Sequence, residues 1–261
     1  MPEPSQLVVE ALFRYPVKSM QGESVEALSF EGGHAAGDRQ WALVDAESGF
    51  TLSAKRHGAL LEAYARTTED GSVVVALPGG GEHLVGEPDT DDAISTWLGR
   101  RIELHHAGSG ALPIELLVDP LDDDSEVIAL PIPEDHFADL ADVHLLTTSS
   151  LRAATQLYPE GDWDVRRFRP TAMIAGAADG FVEDAWVGSH ALLGDEVSVE
   201  VFMPTIRCSL PPRSQPGIER DTTIARTLRD NHDFSLGVYA AGRRDGTVRA
   251  GDVVTLRDGP A

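Results

Sequence analysis

The stretch EVSVEVFMPTIRCSL, residues 196–210, joins a valine-rich, strand-like run to the only cysteine of the chain, Cys208. Valine and phenylalanine are enriched in β-strands, so the run EVSVEVFMP is predicted to form one. Because proline cannot donate to a strand ladder, Pro204 is predicted to end this strand. Cys208 then lies on a loop just beyond a rigid sheet, which is where binding and catalytic residues commonly occur.

Short strand-like segments of the same kind extend outward through the chain. They are LVVEALFRYPV, SVEALSF, QWALVDA, FTLSA and SVVVALP in the first half, and TAMIAG, ALLGDEVSVEVFMP, FSLGVYAAG and GTVRAGDVVTL in the second. Helices are predicted for DTDDAISTWLG, for the residues after VHLLTT with a cap at Thr148 or Ser149, and for TTIARTLRD. The pattern predicts a mostly β protein with a few helices, built from barrels or sandwiches and without a βαβ series. The acidic residues 119–127 are predicted to be a linker or an exposed loop.

Composition narrows the classes of function. The 261 residues suffice for one large domain or two small ones, and the net charge of −22 argues against a protein that tracks nucleic-acid backbones. No apolar run is long enough to span a membrane, and the N-terminus lacks the basic and apolar segments of a secretory signal. A single cysteine excludes an internal disulfide framework and a four-cysteine metal site, and a cytoplasmic location is expected.

Cys208 has two interpretations. A lone cysteine is most often a small buried hydrophobe. Cys208, however, directly follows Arg207, and a neighbouring positive charge favours the thiolate, the form that attacks electrophiles or binds metal. A thiolate is also a natural protein ligand for a soft metal centre.

Lys18, Ser19 and Arg39 are candidates for binding an anion. Lys18 and Ser19 follow a predicted strand in RYPVKSMQG, where an ammonium group, a hydroxyl and backbone N–H groups could hold a phosphate. The structural alternative is a solvated loop. Arg39 follows a Gly-Asp turn in GDRQW, and its alternative role is a surface salt bridge of little energetic weight.

The segment RRFRP contributes Arg166, Arg167 and Arg169 just before a predicted strand. Guanidinium groups fit phosphate in a bidentate manner, so the three arginines could form an anion clamp. They could equally form a charged sheet edge that discourages aggregation. The adjacent Glu183 and Asp184 are interpreted as turn residues rather than as an acid–base pair.

Seven short motifs follow one another along the chain: YPVKSMQG, GDRQW, RFRP before a β run, VEDAW, the G…V…P…RC pattern, LGVY and GTVRAGD. In this order they resemble the MOSC-domain family in its two-part form, which has an N-terminal β-barrel domain ahead of a MOSC β-barrel domain. The resemblance implies an N-terminal domain over residues 5–118 and a MOSC domain over residues 128–258. The chain is similar in kind to the mitochondrial amidoxime-reducing component and its bacterial relatives, which bind the molybdenum cofactor and reduce N-hydroxylated compounds.

The resemblance also implies roles for individual residues. Cys208 matches the cysteine whose sulfur ligates molybdenum, and it is the catalytic residue on this interpretation. The implied cofactor-binding residues are Lys18 and Ser19 near the pterin phosphate, Arg39, Arg169, Thr171, Arg207 and Tyr239. Relatives commonly have asparagine where this chain has Thr171. The loop with Pro211 and Pro212 after the cysteine also departs from the family pattern and is expected to shape substrate access.

The implied activity is reduction of a small molecule by a molybdenum-cofactor-dependent oxidoreductase. Since the sequence has no cysteine beyond Cys208, electrons are expected from a separate ferredoxin-type or flavoprotein-type partner. Pyridoxal phosphate binding is a further property that the resemblance raises. Two alternatives stay open: a sulfur-carrier or cofactor-delivery protein that uses a Cys208 persulfide, and a β-barrel binding module whose cysteine is inert.

Overall fold

The computed structural model describes residues 6–109, 112–118, 125–131, 136–176 and 178–258. Strands form most of its regular structure, and the prediction of a mostly β protein with a few helices is confirmed. The strands, in chain order, are β1 (Val8–Arg14), β2 (Glu23–Val25), β3 (Ala27–Glu31), β4 (His34–Ala35), β5 (Trp41–Asp45), β6 (Tyr64–Thr67), β7 (Val73–Ala76), β8 (Glu82–Leu84), β9 (Ile102–His106), β10 (Pro113–Leu117), β11 (Val127–Pro131), β12 (Val143–Thr147), β13 (Ala172–Ala175), β14 (Ser189–Leu193), β15 (Val197–Ile206), β16 (Ser235–Arg244), β17 (Gly246–Arg249) and β18 (Val254–Asp258). The helices of the described residues are α1 (Pro88–Leu98), α2 (Thr148–Leu157) and α3 (Thr222–Asn231), with 3-10 turns at Gly58–Glu62, Val165–Arg167 and Val182–Trp186.

One large sheet organises the molecule, in the strand order β18-β14-β15-β16-β12-β13-β1-β2. Strands β12 and β13 are parallel and α2 lies between them in the chain, because parallel neighbours require a crossover rather than a tight turn. The sequence pattern predicted no series of βαβ units, and the structure contains one such unit, formed by β12, α2 and β13. Smaller pairings join β5 to β9 and β6 to β7 to β8.

The sheet also joins the two halves of the chain. Strand β1 pairs antiparallel with β13, and β3 pairs antiparallel with β17. Apolar side chains from both halves, among them Leu12, Leu145 and Val238, are fully buried in one core. The domain boundaries 5–118 and 128–258 remain predictions, and backbone hydrogen bonds of these strand pairs connect the two predicted domains.

Strand β15 departs from its prediction at Pro204. The strand continues two residues further, to Ile206, and Pro204 lies opposite Val238 of β16. Irregularities in the register between Val201 and Met203 and between Pro204 and Ile206 accommodate the missing donor, as β-bulges do. Cys208 nevertheless lies on the loop just past the strand, as predicted.

The cap of helix α2 lies one residue before the earlier of the two predicted positions, Thr148 and Ser149. Thr147 is the capping residue, and its Oγ1 accepts a hydrogen bond from the Ser150 N–H at 3.1 Å. The Thr147 hydroxyl donates to Glu183 at 2.7 Å, and the Ser150 hydroxyl donates to the same carboxylate at 2.6 Å. Burial raises the pKa of Glu183 despite these hydrogen bonds. Glu183 thus fixes the start of α2 from within the protein.

The segment around residues 119–127 is only partly described. Residues 119–124, which carry most of the predicted acidic linker, lie outside the described residues. The strands on either side, β10 and β11, pair with each other in antiparallel fashion. Within the described part of the chain, no helix combines the length and the apolar character needed to cross a membrane.

Candidate functional site

A cavity of about 100 Å³ gathers residues from distant parts of the chain. Its lining includes seven of the predicted site residues: Lys18, Ser19, Arg39, Arg169, Arg207, Cys208 and Tyr239. Thr171, the eighth, is 2% exposed, and its hydroxyl accepts a hydrogen bond from the His144 N–H at 3.1 Å instead of lining the cavity. The structure therefore brings nearly the whole predicted set together.

Cys208 lies in the wall of this cavity and is half-buried. It packs against the apolar cluster of the N-terminal half, which includes Leu60 and Leu61. The loop after β15 is therefore held on one side by the sheet and on the other by a second core. This arrangement differs from a fully enclosed structural cysteine, because the thiol borders open space.

Both lysines of the chain meet at one carboxylate in the cavity. Lys18 donates to Asp139 and to the Phe137 carbonyl, the latter at 2.6 Å, and Lys55 donates to the other oxygen of Asp139 at 2.6 Å. Burial lowers the pKa of Lys18. Burial acts in the same direction on Lys55, but the charges of Asp139 and Cys208 outweigh it and raise its pKa. The lysines in turn hold the pKa of Asp139 well below its usual range, against the effect of burial.

Two arginines of the cavity stack on the buried ring of Tyr15. The guanidinium carbon of Arg169 lies 4.1 Å from the ring centroid, and that of Arg39 lies 5.0 Å from it. Arg39 also pairs with Asp38, and Arg169 donates to the Met20 carbonyl at 2.7 Å. Burial lowers the pKa of Arg169 to about 10. Burial also raises the pKa of Tyr15 to about 12, so its ring stays neutral beneath the two cations.

Arg207 completes the group of cations. It donates to the Phe168 carbonyl at 2.9 Å and lies over the Phe168 ring at 5.4 Å. Burial lowers its pKa. Its Nε is buried and has no hydrogen-bond partner among the residues that the structure describes. A buried donor without a partner is costly, so this atom favours an additional acceptor near the cavity.

Three of the cavity residues have an unusual backbone conformation. Ser19, Arg39 and Arg169 have φ values of 71°, 49° and 54°, in the left-handed region that non-glycine residues seldom adopt. The Ser19 hydroxyl accepts a hydrogen bond from the Ala54 N–H at 2.9 Å, and the Arg39 N–H donates to the Tyr15 carbonyl at 2.8 Å. Strained backbone that clusters around a cavity is typical of a functional site.

His144 and Tyr239 form a more neutral wall. Their rings meet edge to face with centroids 5.8 Å apart. Burial and the charge of Arg207 lower the pKa of His144 well below its ordinary value, so its imidazole is neutral. Burial raises the pKa of Tyr239, which keeps the phenol protonated as a hydrogen-bond donor.

The segment RRFRP divides its arginines between different tasks. Arg169 alone of the three lines the cavity. Arg166 pairs with Asp164 at 2.7 Å, whereas Arg167 is buried and donates to the carbonyls of residues 162, 211, 213 and 219. Neither a three-arginine clamp nor a charged sheet edge describes this segment.

Several lining residues were missed by the sequence motifs, namely Ser53, Lys55, Asp139, Leu140 and His144. Lys55 had one available signal, since it is the only other lysine in an arginine-rich set of basic residues. Asp139 had none, because acidic residues are abundant throughout the chain. Among the described residues, no three His, Cys, Asp or Glu side chains form a group suited to a metal ion.

Comparisons with known proteins bear on the family and the fold. A search of curated proteins finds no match. The crystal structure of the YuaD protein from Bacillus subtilis aligns over 98% of this chain and 97% of its own, at 9% identity and a TM-score of 0.51. The crystal structure of YiiM from Geobacillus stearothermophilus aligns over 56% of this chain and 73% of its own, at 14% identity and a TM-score of 0.32. At such identities the first likeness speaks for the fold alone, and the second is too low to carry an argument.

Family profiles match both halves of the sequence. The profile described as the MOSC N-terminal beta barrel domain matches residues 6–103, and the profile described as the MOSC domain matches residues 133–255. Together they span most of the chain, in the order that the seven motifs predicted. The chain therefore belongs to the MOSC-domain family, with the N-terminal β-barrel domain ahead of the MOSC domain.

Proposed function

We propose that this chain is a molybdenum-cofactor-dependent oxidoreductase that reduces N-hydroxylated or related N–O compounds. One observation carries the proposal: among the described residues, a half-buried thiol and five basic side chains line the same cavity. Those side chains belong to Lys18, Arg39, Lys55, Arg169 and Arg207. In a chain of net charge −22, such a concentration of cations favours a strongly anionic ligand.

The residues present fit the molybdenum cofactor in chemical type. A phosphate group calls for several cationic donors and backbone N–H groups, and the unpartnered Nε of Arg207 offers one donor more. A soft metal centre calls for a thiolate, which Cys208 supplies. Lys18 and Ser19 would hold the phosphate, Arg39 and Arg169 the adjoining negative charge, and Cys208 the metal. When bound, the cofactor would supply a metal centre that accepts and delivers two electrons.

The chain itself orients and insulates this site. The stacked Tyr15, Arg39 and Arg169 form a rigid, buried base that cannot reorganise cheaply, and such preorganised charge is worth more in a water-poor cavity than in solvent. Arg207, directly before Cys208, places a positive charge in the same cavity wall. Tyr239 presents a neutral phenol at the cavity wall, where it would donate a hydrogen bond to substrate or cofactor.

The partners and the location belong to the same proposal. Since Cys208 is the only cysteine, the chain supplies no iron–sulfur cluster of its own, and a separate ferredoxin-type or flavoprotein-type protein would deliver the electrons. The substrate would be a small molecule that reaches the cavity beside the loop with Pro211 and Pro212. The protein would work in the reducing cytoplasm, where a lone, half-buried cysteine such as Cys208 stays free of disulfide bonds.

Metal analysis tests the proposal. Wild-type protein and Cys208→Ser would be purified from a host that synthesises the cofactor, with wild type from a host that does not as the control. We expect about one molybdenum and one pterin per chain in the wild type, and altered or lost metal coordination in Cys208→Ser because serine is a harder ligand. Wild-type protein that contains neither molybdenum nor pterin would contradict the proposal.

The same preparation distinguishes the alternative functions. Sulfane sulfur on Cys208 without stoichiometric molybdenum would identify a sulfur carrier. Protein that holds neither metal nor sulfane sulfur, and whose Cys208 resists thiol reagents while folded, would identify a binding module. The half-buried position of Cys208 beside open space favours a reactive thiol over that last outcome.

A further inference from the structure

Asp139 holds the position that an anionic ligand of this cavity would be expected to take. Its two carboxylate oxygens separately accept hydrogen bonds from Lys18 and Lys55, so one side chain occupies both ammonium groups at once. Arg39, Arg169 and Arg207 line the same cavity without contacting this carboxylate in the bonds described. At the lysine end one carboxylate thus faces two ammonium groups, and at the arginine end Arg39 pairs with Asp38.

The local fold lets Asp139 move without unfolding its neighbours. His136 and Asp142 are bonded at 3.0 Å, which closes a short loop with Asp139 at its tip. The Phe137 N–H is tied to the Arg39 carbonyl at 2.8 Å, so the base of the loop is anchored. The Asp139 side chain is 30% exposed, and Leu140 beside it is exposed. Release from the two lysines would carry the carboxylate into water and loosen the tip of this loop, which Lys18 also holds through the Phe137 carbonyl.

We propose that Asp139 is an internal competitor for the anion site, and that a phosphate monoester displaces it from Lys18 and Lys55. The exchange favours the monoester because a dianion with three acceptor oxygens replaces a monoanion with two. A tethered carboxylate competes at an effective concentration on the order of millimolar or above. Ordinary monoanions, such as chloride or simple carboxylates, gain too little from the same exchange to remain bound. Asp139 thereby sets the threshold of charge that a ligand must carry.

This inference rests on the proposed function only in identifying the monoester with the phosphate of the cofactor. It concerns binding by this chain's own lysines and requires no metal. The two can therefore fail separately: a chain without molybdenum can still hold a phosphate monoester against Asp139, and a molybdenum enzyme can lack this competition.

The test is calorimetric titration of the full chain, purified from a host without the cofactor, with methyl phosphate at mildly alkaline pH. The variants are Asp139→Asn and, as a matched control, Asp142→Asn, which alters a carboxylate of the same loop that bonds His136 rather than the lysines. We expect Asp139→Asn to bind methyl phosphate on the order of tenfold more tightly than wild type, because the competitor is gone. Asp142→Asn should bind as wild type does. Dimethyl phosphate, a monoanion, should bind measurably to Asp139→Asn alone.

The direction in which Asp139→Asn changes the affinity for methyl phosphate decides whether Asp139 is a competitor. Equal or weaker binding by Asp139→Asn would overturn the inference and make Asp139 a residue that positions the lysines. A second measurement uses the wild type alone, so that it does not depend on the variant's folding: amide hydrogen exchange of residues 137–141 should accelerate when methyl phosphate binds, because the contacts of Lys18 with this loop are released. Unchanged or slower exchange there would also overturn it.

Discussion

At the scale of single residues, the cavity depends on three side chains whose backbone is strained. Ser19, Arg39 and Arg169 each occupy the left-handed region, at a cost of about 1–2 kcal/mol per residue. Their buried hydrogen bonds and ring contacts offset that cost and hold the side chains toward a common space. Motif order predicted which residues would meet, but it carried no sign of this conformation, since none of the three is a glycine.

Replacing Ser19 separates the strain from the hydrogen bond. Ser19→Ala and Ser19→Gly both remove the hydroxyl that accepts from the Ala54 N–H, but only glycine relieves the positive φ. We expect Ser19→Gly to be more stable than Ser19→Ala by about 1 kcal/mol in urea unfolding, with both below wild type. If Ser19→Ala were the more stable of the two, the left-handed conformation would not be a source of strain.

Lys55 and Asp139 show where motif-based prediction stops. They are 84 positions apart in the chain, and neither belongs to a motif. Their meeting depends on how two loops pack against the sheet, and short-range pattern contains no information on that packing. Lys18, Arg207 and Cys208 could be predicted because they belong to family motifs that follow one another in a fixed order. The residues around them are brought there by the three-dimensional fold.

At the scale of elements, one buried arginine makes three hydrogen bonds to the loop after Cys208. Arg167 is 1% exposed and donates to the Pro211, Arg213 and Glu219 carbonyls at 2.9, 3.3 and 2.8 Å. Prolines in this loop remove backbone donors, so it has few means of satisfying its own carbonyls. The guanidinium replaces the missing donors and holds the segment that directly follows Leu210, which lines the cavity.

Arg167→Ala should destabilise the protein by about 3–5 kcal/mol, because several buried carbonyls lose their partner at once. Arg152→Ala is the control: the Arg152 side chain is 53% exposed and pairs with Asp179 at 3.4 Å, and its loss should cost about 1 kcal/mol or less. Chemical unfolding measures both, and limited proteolysis should cut Arg167→Ala first within residues 211–219. Similar losses in the two variants would refute the role given to Arg167.

Two features of the strands differ from what the sequence pattern predicts. The pattern of strands and helices was predicted well, but Pro204 was interpreted as a strand end when β15 continues through it to Ile206. A bulge absorbs the missing N–H, and bulges depend on the partner strand rather than on the residue itself. The parallel pairing of β12 with β13 was missed for a similar reason, since pairing between strands is a tertiary property.

At the scale of the whole molecule, the two regions matched by family profiles are not separate bodies. Strands β1 and β2 extend the large sheet, and β3 pairs with β17 near the other end of the chain. Removing either half would expose strand edges and apolar surface of the other. Elements that share one sheet and one core are expected to unfold together.

We therefore expect one cooperative thermal transition for the full chain, with equal calorimetric and van't Hoff enthalpies. Fluorescence of the four tryptophans and far-ultraviolet circular dichroism should report the same midpoint. Two resolved transitions, with the earlier one confined to the N-terminal half, would mean that the pairing of β1 with β13 contributes little to stability.

The arrangement of the cavity has a consequence for biosynthesis. Lys18 is synthesised long before Tyr239, yet both line the same space. Strand β16, which carries Tyr239, also pairs with β12 and β15, so the central part of the sheet cannot close before β16 has been synthesised. Since Lys18 and Arg39 have no complete cavity to face until then, a ligand of this cavity can be held only after β16 has been made, and the nascent chain exposes these basic residues before that point.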